Sequence, residues 1–146
     1  MIVTEVTENI WRFVRNVMRD FSHAKQTLLD VLQAELTFLE SGGYSSRARF
    51  PWRPNFVFED SPTCPNFGAK EERRSCLECP LMQFVPEERK KMAHPCRQIP
   101  LTPEGESVAH FYACGTEQEL EAALRGWLKG KIAEMEARES KQAQIA

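Results

Sequence analysis

The stretch CPNFGAKEERRSCLECP, residues 64–80, holds three of the five cysteines of the chain. A fourth, Cys96, follows in HPC, which gives the spacing Cys64-x11-Cys76-x2-Cys79-x16-Cys96. Two intervening residues let the sulfur atoms of Cys76 and Cys79 reach one metal ion or one cluster, because the chain turns back within that span. Prolines beside Cys64, Cys79 and Cys96 fix a loop backbone without needing a hydrogen-bond donor. The pattern therefore predicts a loop region in which these four thiols bind metal.

The spacing favours a 4Fe–4S cluster, with one zinc ion as the alternative. Structural zinc sites usually combine two C-x2-C knuckles, or one knuckle with paired histidines. This chain has one knuckle and two isolated cysteines. A 4Fe–4S cluster is wider than a single ion and takes thiolate ligands from scattered positions, often beside proline. Apolar side chains near the cysteines would shield such a cluster from water: Phe67, Leu81, Met82 and Phe84.

Two interpretations without metal stay open. Free cysteines are often buried as small apolar residues, and four of them can fall within one window of a compact domain. Cys76 and Cys79 can also form a redox dithiol with Cys76 as the nucleophile. Such dithiols usually follow an apolar strand, and the sequence RRSCLECPLM has none before Cys76.

Three further residues near the cysteine region are candidates for the same site. His94 lies two positions before Cys96 and is either an added ligand or a solvent-facing residue at a helix end. Cys114 precedes the predicted start of the last helix, and is a core residue, a fifth ligand or a reactive thiol. His110 lies four positions before Cys114, and the sequence assigns it no role.

Arginines cluster on both sides of the first cysteine. Arg47, Arg49 and Arg53 alternate with Phe50 and Trp52, and Arg73 and Arg74 precede the C-x2-C pair. Arginine with aromatic side chains is typical of a nucleic-acid surface, but arginine stems also simply cover aromatic rings. The net charge of −2 and the isoelectric point near 6.0 argue against nucleic acid as the partner.

The composition is that of an ordinary globular protein. The chain has 146 residues, of which 42% are hydrophobic and 27% charged, and this suits one domain over residues 1–138 with a flexible tail at 139–146. The start MIVTEVTENIW lacks the basic and apolar segments of a secretory signal, and no run of about 18 apolar residues would span a membrane. We therefore expect a cytoplasmic protein, in which clustered cysteines bind metal more often than they form disulfides.

The first part of the chain, residues 4–41, is predicted to be helical. Apolar residues recur there at steps of three and four, and Ser41-Gly42-Gly43 is a stop signal. One unbroken helix would be about 54 Å long, which exceeds a compact domain of this size. We favour a break near Asp20 or Ser22, either of which can cap a second helix, over one long helix that dimerises.

The rest of the chain is predicted to be a metal-binding loop region, a hairpin and a helix. Residues 44–96 are rich in proline and aromatics, with one short strand possible at Asn55–Glu59 and a short helix over 85–95. Residues 97–138 comprise strands at Arg97–Leu101 and Ser107–Ala113 and a closing helix from about Glu117 to Ala137. The apolar residues of that helix fall on one stripe: Leu120, Leu124, Trp127, Leu128, Ile132 and Met135. The expected fold class is α+β, rich in helix.

These features indicate a small accessory protein that transfers electrons or senses redox state through one cluster. The chain carries no substrate-pocket motif, so it is not expected to be an enzyme on its own. We expect a protein partner, or a homodimer formed through the N-terminal helices. If the metal is zinc, the same thiols would instead stabilise an interaction module, and a thiol enzyme using Cys76 or Cys114 is the third hypothesis.

Overall fold

The computed structural model of the protein describes residues 10, 12, 27–45, 55–67 and 75–145. Three α-helices have both ends within these ranges: α1 (Leu28–Glu40), α2 (Val108–Cys114) and α3 (Glu117–Ile145). Short 3₁₀ turns connect α1 to α2, at Cys76–Glu78, Pro80–Phe84, Glu87–Arg89 and Pro95–Gln98. No strand occurs among the described residues, where the bridge between Pro100 and Ser107 stands alone. The predicted α+β class is therefore wrong, and the described part of the chain is helix-rich.

Helix α1 begins and ends at strong local signals. The Thr27 hydroxyl accepts a hydrogen bond from the Asp30 amide at 3.2 Å, and the Asp30 carboxylate accepts one from the Thr27 amide at 3.1 Å. At the other end Gly42 has φ +80°, and a Cβ on Gly43 would lie 2.4 Å from the Phe38 ring. The predicted stop is confirmed. Because α1 starts after Thr27, the helical region predicted over 4–41 is broken, as favoured above, and the caps predicted at Asp20 or Ser22 lie outside the described residues.

The core forms where α1 packs along α3. From α1, Val31, Leu32 and Phe38 are at most 2% exposed, and the α3 residues Leu124 and Leu128 are fully buried. The predicted apolar stripe of α3 is confirmed, since all its members are buried or pack against the core: Leu120, Leu124, Trp127, Leu128, Ile132 and Met135. Their spacing of three and four residues places them on one face of a helix.

Shortening a core side chain of α3 is expected to destabilise the fold strongly. Leu124→Ala removes a fully buried side chain and leaves a cavity, so the free energy of unfolding should fall by about 3 kcal/mol. Gln118→Ala, at an exposed position of the same helix, should change it by less than about 0.5 kcal/mol. Urea denaturation of both variants measures the difference, and similar values would contradict the core described above.

The hairpin predicted over 97–113 is wrong in its strands and right in its turn. The chain reverses at Thr102–Glu106, with Gly105 at φ +86° and the Leu101 amide donating to the Glu106 carbonyl at 2.8 Å. The second strand is instead helix α2, because the Ser107 hydroxyl accepts from the His110 amide at 3.2 Å and caps a helix. The first strand of the predicted hairpin is replaced by the turn Pro95–Gln98 and the single bridge between Pro100 and Ser107.

Three smaller expectations also differ from the structure. Residues 57–60 form a turn and not a strand, since Phe58 has φ +67°. The short helix expected over 85–95 is reduced to the 3₁₀ turn Glu87–Arg89. Helix α3 continues to Ile145, so it includes most of the tail expected at 139–146.

Within the described ranges, no helix combines the length and apolar character that crossing a bilayer requires.

Candidate metal centre

Cys64 lies in a loop whose backbone is fixed by its own turns. The Asp60 carboxylate accepts from the Phe56 amide at 2.6 Å, and the Cys64 amide donates to the Ser61 carbonyl at 3.1 Å. Phe58 adopts a left-handed conformation that is costly for a bulky side chain. Its amide donates to the hydroxyl of Tyr44 at 3.0 Å, which helps to hold this conformation in place.

A buried carboxylate joins this loop to α1. Glu35 is fully buried and accepts hydrogen bonds from the Tyr44 hydroxyl at 2.6 Å and from the Thr63 hydroxyl. Ser61 also hydrogen-bonds Glu35, and its hydroxyl lies 3.0 Å from that of Thr63. Burial raises the pKa of Glu35, while these hydroxyls oppose the rise. Glu35 therefore fixes the residue that immediately precedes Cys64.

Cys76 and Cys79 lie at the two ends of a tight 3₁₀ turn. The Ser75 hydroxyl accepts from the Leu77 amide at 3.2 Å, and the Cys79 amide donates to the Cys76 carbonyl at 3.0 Å. The following turn, Pro80–Phe84, begins at Cys79 and buries Leu81 and Met82. The knuckle is thus attached to the core on its C-terminal side.

Cys96 lies in the turn Pro95–Gln98, which an ion pair connects to the Cys64 loop. Arg97 donates to both carboxylate oxygens of Glu59, at 2.7 and 3.1 Å. Its guanidinium carbon also lies 4.5 Å from the centre of the Phe56 ring. His94 places Nδ1 3.0 Å from Oε1 of the same Glu59 carboxylate, the oxygen that also accepts from Nη2 of Arg97. These contacts hold the segments of Cys64 and Cys96 side by side.

All four predicted ligands line one cavity. Cys64, Cys76, Cys79 and Cys96 border a space of about 40 Å³, counted as the volume open to the centre of a water molecule. One water needs roughly 10–15 Å³ on this measure, so the cavity exceeds a single water site. The other lining residues include no carboxylate or histidine and are mostly apolar: Phe58, Pro65, Asn66, Ser75, Leu81, Met82 and Pro95. Of the side chains expected to shield a cluster, Leu81 and Met82 line this cavity, and Phe67 and Phe84 do not.

The thiols affect one another electrostatically. Burial raises the pKa of Cys64 and Cys96, and raises that of Cys79 to about 11. A backbone hydrogen bond lowers the pKa of Cys64 and of Cys79, while the neighbouring cysteines raise both values further, because thiolates placed close together repel. Without metal these three thiols hold their protons at neutral pH. Metal binding must displace those protons.

The raised pKa of Cys79 predicts that the metal-free protein loses stability in alkali. An unfolded thiol ionises near pH 8.5, whereas folded Cys79 ionises near 11. Between these values the folded chain binds more protons than the unfolded chain, so stability falls as pH rises from about 8.5 to about 11. Urea midpoints of metal-free protein across this range measure the loss. The stability of the Cys79→Ala variant should fall less steeply with pH than that of the wild-type protein. Equal slopes would show that Cys79 does not cause the loss.

Three of the remaining candidates, His94, His110 and Cys114, do not line the cavity. His94 contacts Glu59 and does not line the cavity. His110 pairs with Glu106 at 3.0 Å, and Cys114 is exposed at the end of α2. Arg47, Arg49, Arg53, Arg73 and Arg74 lie outside the described residues.

Within the part of the chain that the structure describes, no three His, Cys, Asp or Glu side chains lie close enough to hold a single metal ion. The four cysteines line one cavity without forming such a group.

Sequence reasoning missed Glu35, Glu59 and Arg97, which position the cysteines. One signal was present: position 35 interrupts the apolar face of α1 between Leu32 and Phe38, and a charge at such a position indicates a buried polar contact.

Comparison of the chain with protein-family models, with curated proteins and with solved structures gave no match.

Proposed function

We propose that Cys64, Cys76, Cys79 and Cys96 bind one 4Fe–4S cluster, and that the protein is an electron-transfer or redox-sensing accessory protein of the cytoplasm. The observation that carries this proposal is the convergence of four cysteines from three separate turns on one largely apolar cavity. When bound, such a cluster accepts and releases one electron at a time.

The donor set and its surroundings fit the cluster. Four thiols supply one ligand for each iron, and no carboxylate lines the cavity to compete for the metal. Apolar walls from Phe58, Leu81 and Met82 exclude water, which protects a cluster from oxygen and tunes its potential.

The protein's role is proposed to be accessory, acting on or with another protein. With every iron bound to a protein thiol, no iron position is left open for a substrate. Electrons would therefore pass to a partner and not to a molecule bound at the metal. The alternative form of this proposal is a homodimer through the N-terminal helices. Most of the residues predicted to form those helices lie outside the described part of the chain.

Reversible reduction of the cluster tests the function. Protein purified without air should be brown, should lose visible absorbance on addition of dithionite, and should regain it on reoxidation. A colourless protein that unfolds when a chelator removes zinc would replace the proposal with a zinc-stabilised interaction module. Rapid alkylation of folded protein at Cys76 or Cys114 alone, with no metal present, would instead favour a thiol enzyme.

A further inference from the structure

Cys76 and Cys79 lie one above the other in a single 3₁₀ turn. The Cys79 amide donates to the Cys76 carbonyl at 3.0 Å, which closes the turn Cys76–Glu78. A 3₁₀ helix has three residues per turn and rises about 2.0 Å per residue, so the Cα atoms of these two cysteines are about 6 Å apart. Disulfides usually join Cα atoms that are about 4.4–6.8 Å apart. The spacing of this pair therefore suits a disulfide.

The two side chains also lie on the same side of the turn. Side chains three residues apart in a 3₁₀ helix are eclipsed, and both Cys76 and Cys79 line the cavity. Both thiols are free in this structure. The Cα spacing and the side-chain directions together suit a bond between the two sulfur atoms.

Local contacts hold the turn in this conformation. The Ser75 hydroxyl accepts from the Leu77 amide at 3.2 Å. On the other side, Pro80 restricts the backbone after Cys79, and the Met82 amide donates to the Cys79 carbonyl at 3.0 Å. A turn that is already formed loses little further conformational entropy when its two ends are joined. The folded chain should therefore form this disulfide more readily than the unfolded chain.

We propose that Cys76 and Cys79 form a reversible disulfide in the metal-free protein, and that the cavity does not bind metal in this oxidised state. The disulfide itself is independent of the metal, whereas its effect on metal binding rests on the function proposed above. A disulfide removes two of the four candidate thiolate ligands at once. Disulfides in a reducing compartment are usually transient and redox-sensing. The pair would thus give the proposed redox sensing a chemical basis.

The oxidant is a low-molecular-weight disulfide, for which glutathione disulfide is the probe. The thiolate of one cysteine attacks a sulfur of this disulfide, forms a mixed disulfide and releases one glutathione thiolate. The other cysteine then attacks the mixed disulfide and releases the second glutathione thiolate. In each step one S–S bond forms and one breaks. Overall the protein loses two electrons and two protons, and the two molecules of reduced glutathione carry both away.

Thiol trapping in metal-free protein, equilibrated with reduced and oxidised glutathione, tests the disulfide. Trypsin releases the peptide 75–89, which contains Cys76 and Cys79 and no other cysteine. This peptide should become lighter by two hydrogen atoms and should resist alkylation. Because the folded turn holds the two cysteines in place, the equilibrium constant for the disulfide should be at least about tenfold larger in folded protein than in urea-unfolded protein.

Two variants are the matched controls. Cys79→Ser leaves Cys76 without its partner, so the same peptide should carry a glutathione adduct and no internal disulfide. Cys114→Ser removes a cysteine that does not line the cavity, and it should leave the disulfide unchanged.

Uptake of iron and sulfide without air tests the effect on metal binding. Oxidised wild-type protein should take up at least about tenfold less iron than reduced protein, because two thiolate ligands are missing. Reduction of the disulfide with dithiothreitol should restore the uptake.

The outcomes separate this inference from the proposed function. A disulfide between other cysteines overturns the inference even where the cluster binds. Equal equilibrium constants in folded and urea-treated protein also overturn it, including the case in which the metal-free chain is unfolded before urea is added. Equal iron uptake by oxidised and reduced protein overturns the effect on metal binding alone. A Cys76–Cys79 disulfide in a protein that takes up no iron in either state supports the disulfide and overturns the proposed function.

Discussion

Replacing any one of Cys64, Cys76, Cys79 and Cys96 by serine is expected to lower the iron content of purified protein by at least about tenfold. A serine hydroxyl stays protonated at neutral pH and is a poor ligand for iron, so each substitution leaves one iron without its thiolate. Iron and sulfide assays on protein prepared without air measure the effect.

Cys114→Ser is the matched control for these variants. Cys114 is exposed at the end of α2 and does not line the cavity, so its replacement should leave iron and sulfide unchanged. The same set also tests the hypothesis of a fifth ligand. Full iron content in a variant of one of the four cavity cysteines would remove that residue from the ligand set, and loss of iron in Cys114→Ser would add Cys114 to it.

Glu35→Ala is expected to lower the free energy of unfolding by about 3 kcal/mol. The substitution leaves the buried hydroxyls of Tyr44, Ser61 and Thr63 without their shared acceptor and opens a void beneath the Cys64 loop. Glu35→Gln keeps the volume and one carbonyl acceptor, so it should cost about 1 kcal/mol. Urea denaturation of the metal-free variants separates this effect from metal binding.

Glu40→Ala gives the comparison within the same helix. Glu40 is exposed and lies 3.7 Å from Lys129, and an exposed pair of this kind contributes about 0–1 kcal/mol. If Glu35→Ala and Glu40→Ala have equal effects, the buried network does not hold the Cys64 loop. If Glu35→Ala is the more damaging, the carboxylate is a structural support of the cavity.

Local signals in the sequence were sufficient for several elements. Consecutive glycines after Ser41 ended α1, and the three- and four-residue spacing of apolar residues identified α3. The convergence of the cysteines was also predictable, because a metal-binding C-x2-C pair would need further ligands and prolines mark Cys64 and Cys96 as fixed loop positions. Each of these signals acts within a few residues of the feature that it determines.

Elements decided by distant contacts were not predictable. Helix α2 is an exception, since its signals are local: Val108, Phe111 and Tyr112 are typical of a strand, but Ser107 caps a helix, and Val108 and Phe111 are buried three positions apart. The pairing of Glu59 with Arg97 joins residues far apart in the chain, and no spacing rule indicates it. The buried role of Glu35 depends on hydroxyls from two other segments.

Metal and sulfide analysis with a visible spectrum, on protein purified without air, tests the central claim most directly. The four-thiol cavity predicts about four iron and four sulfide per chain, with a broad absorption band in the blue region that dithionite bleaches. One zinc per chain with no visible absorption would contradict the cluster, and the cavity would then be a structural zinc site.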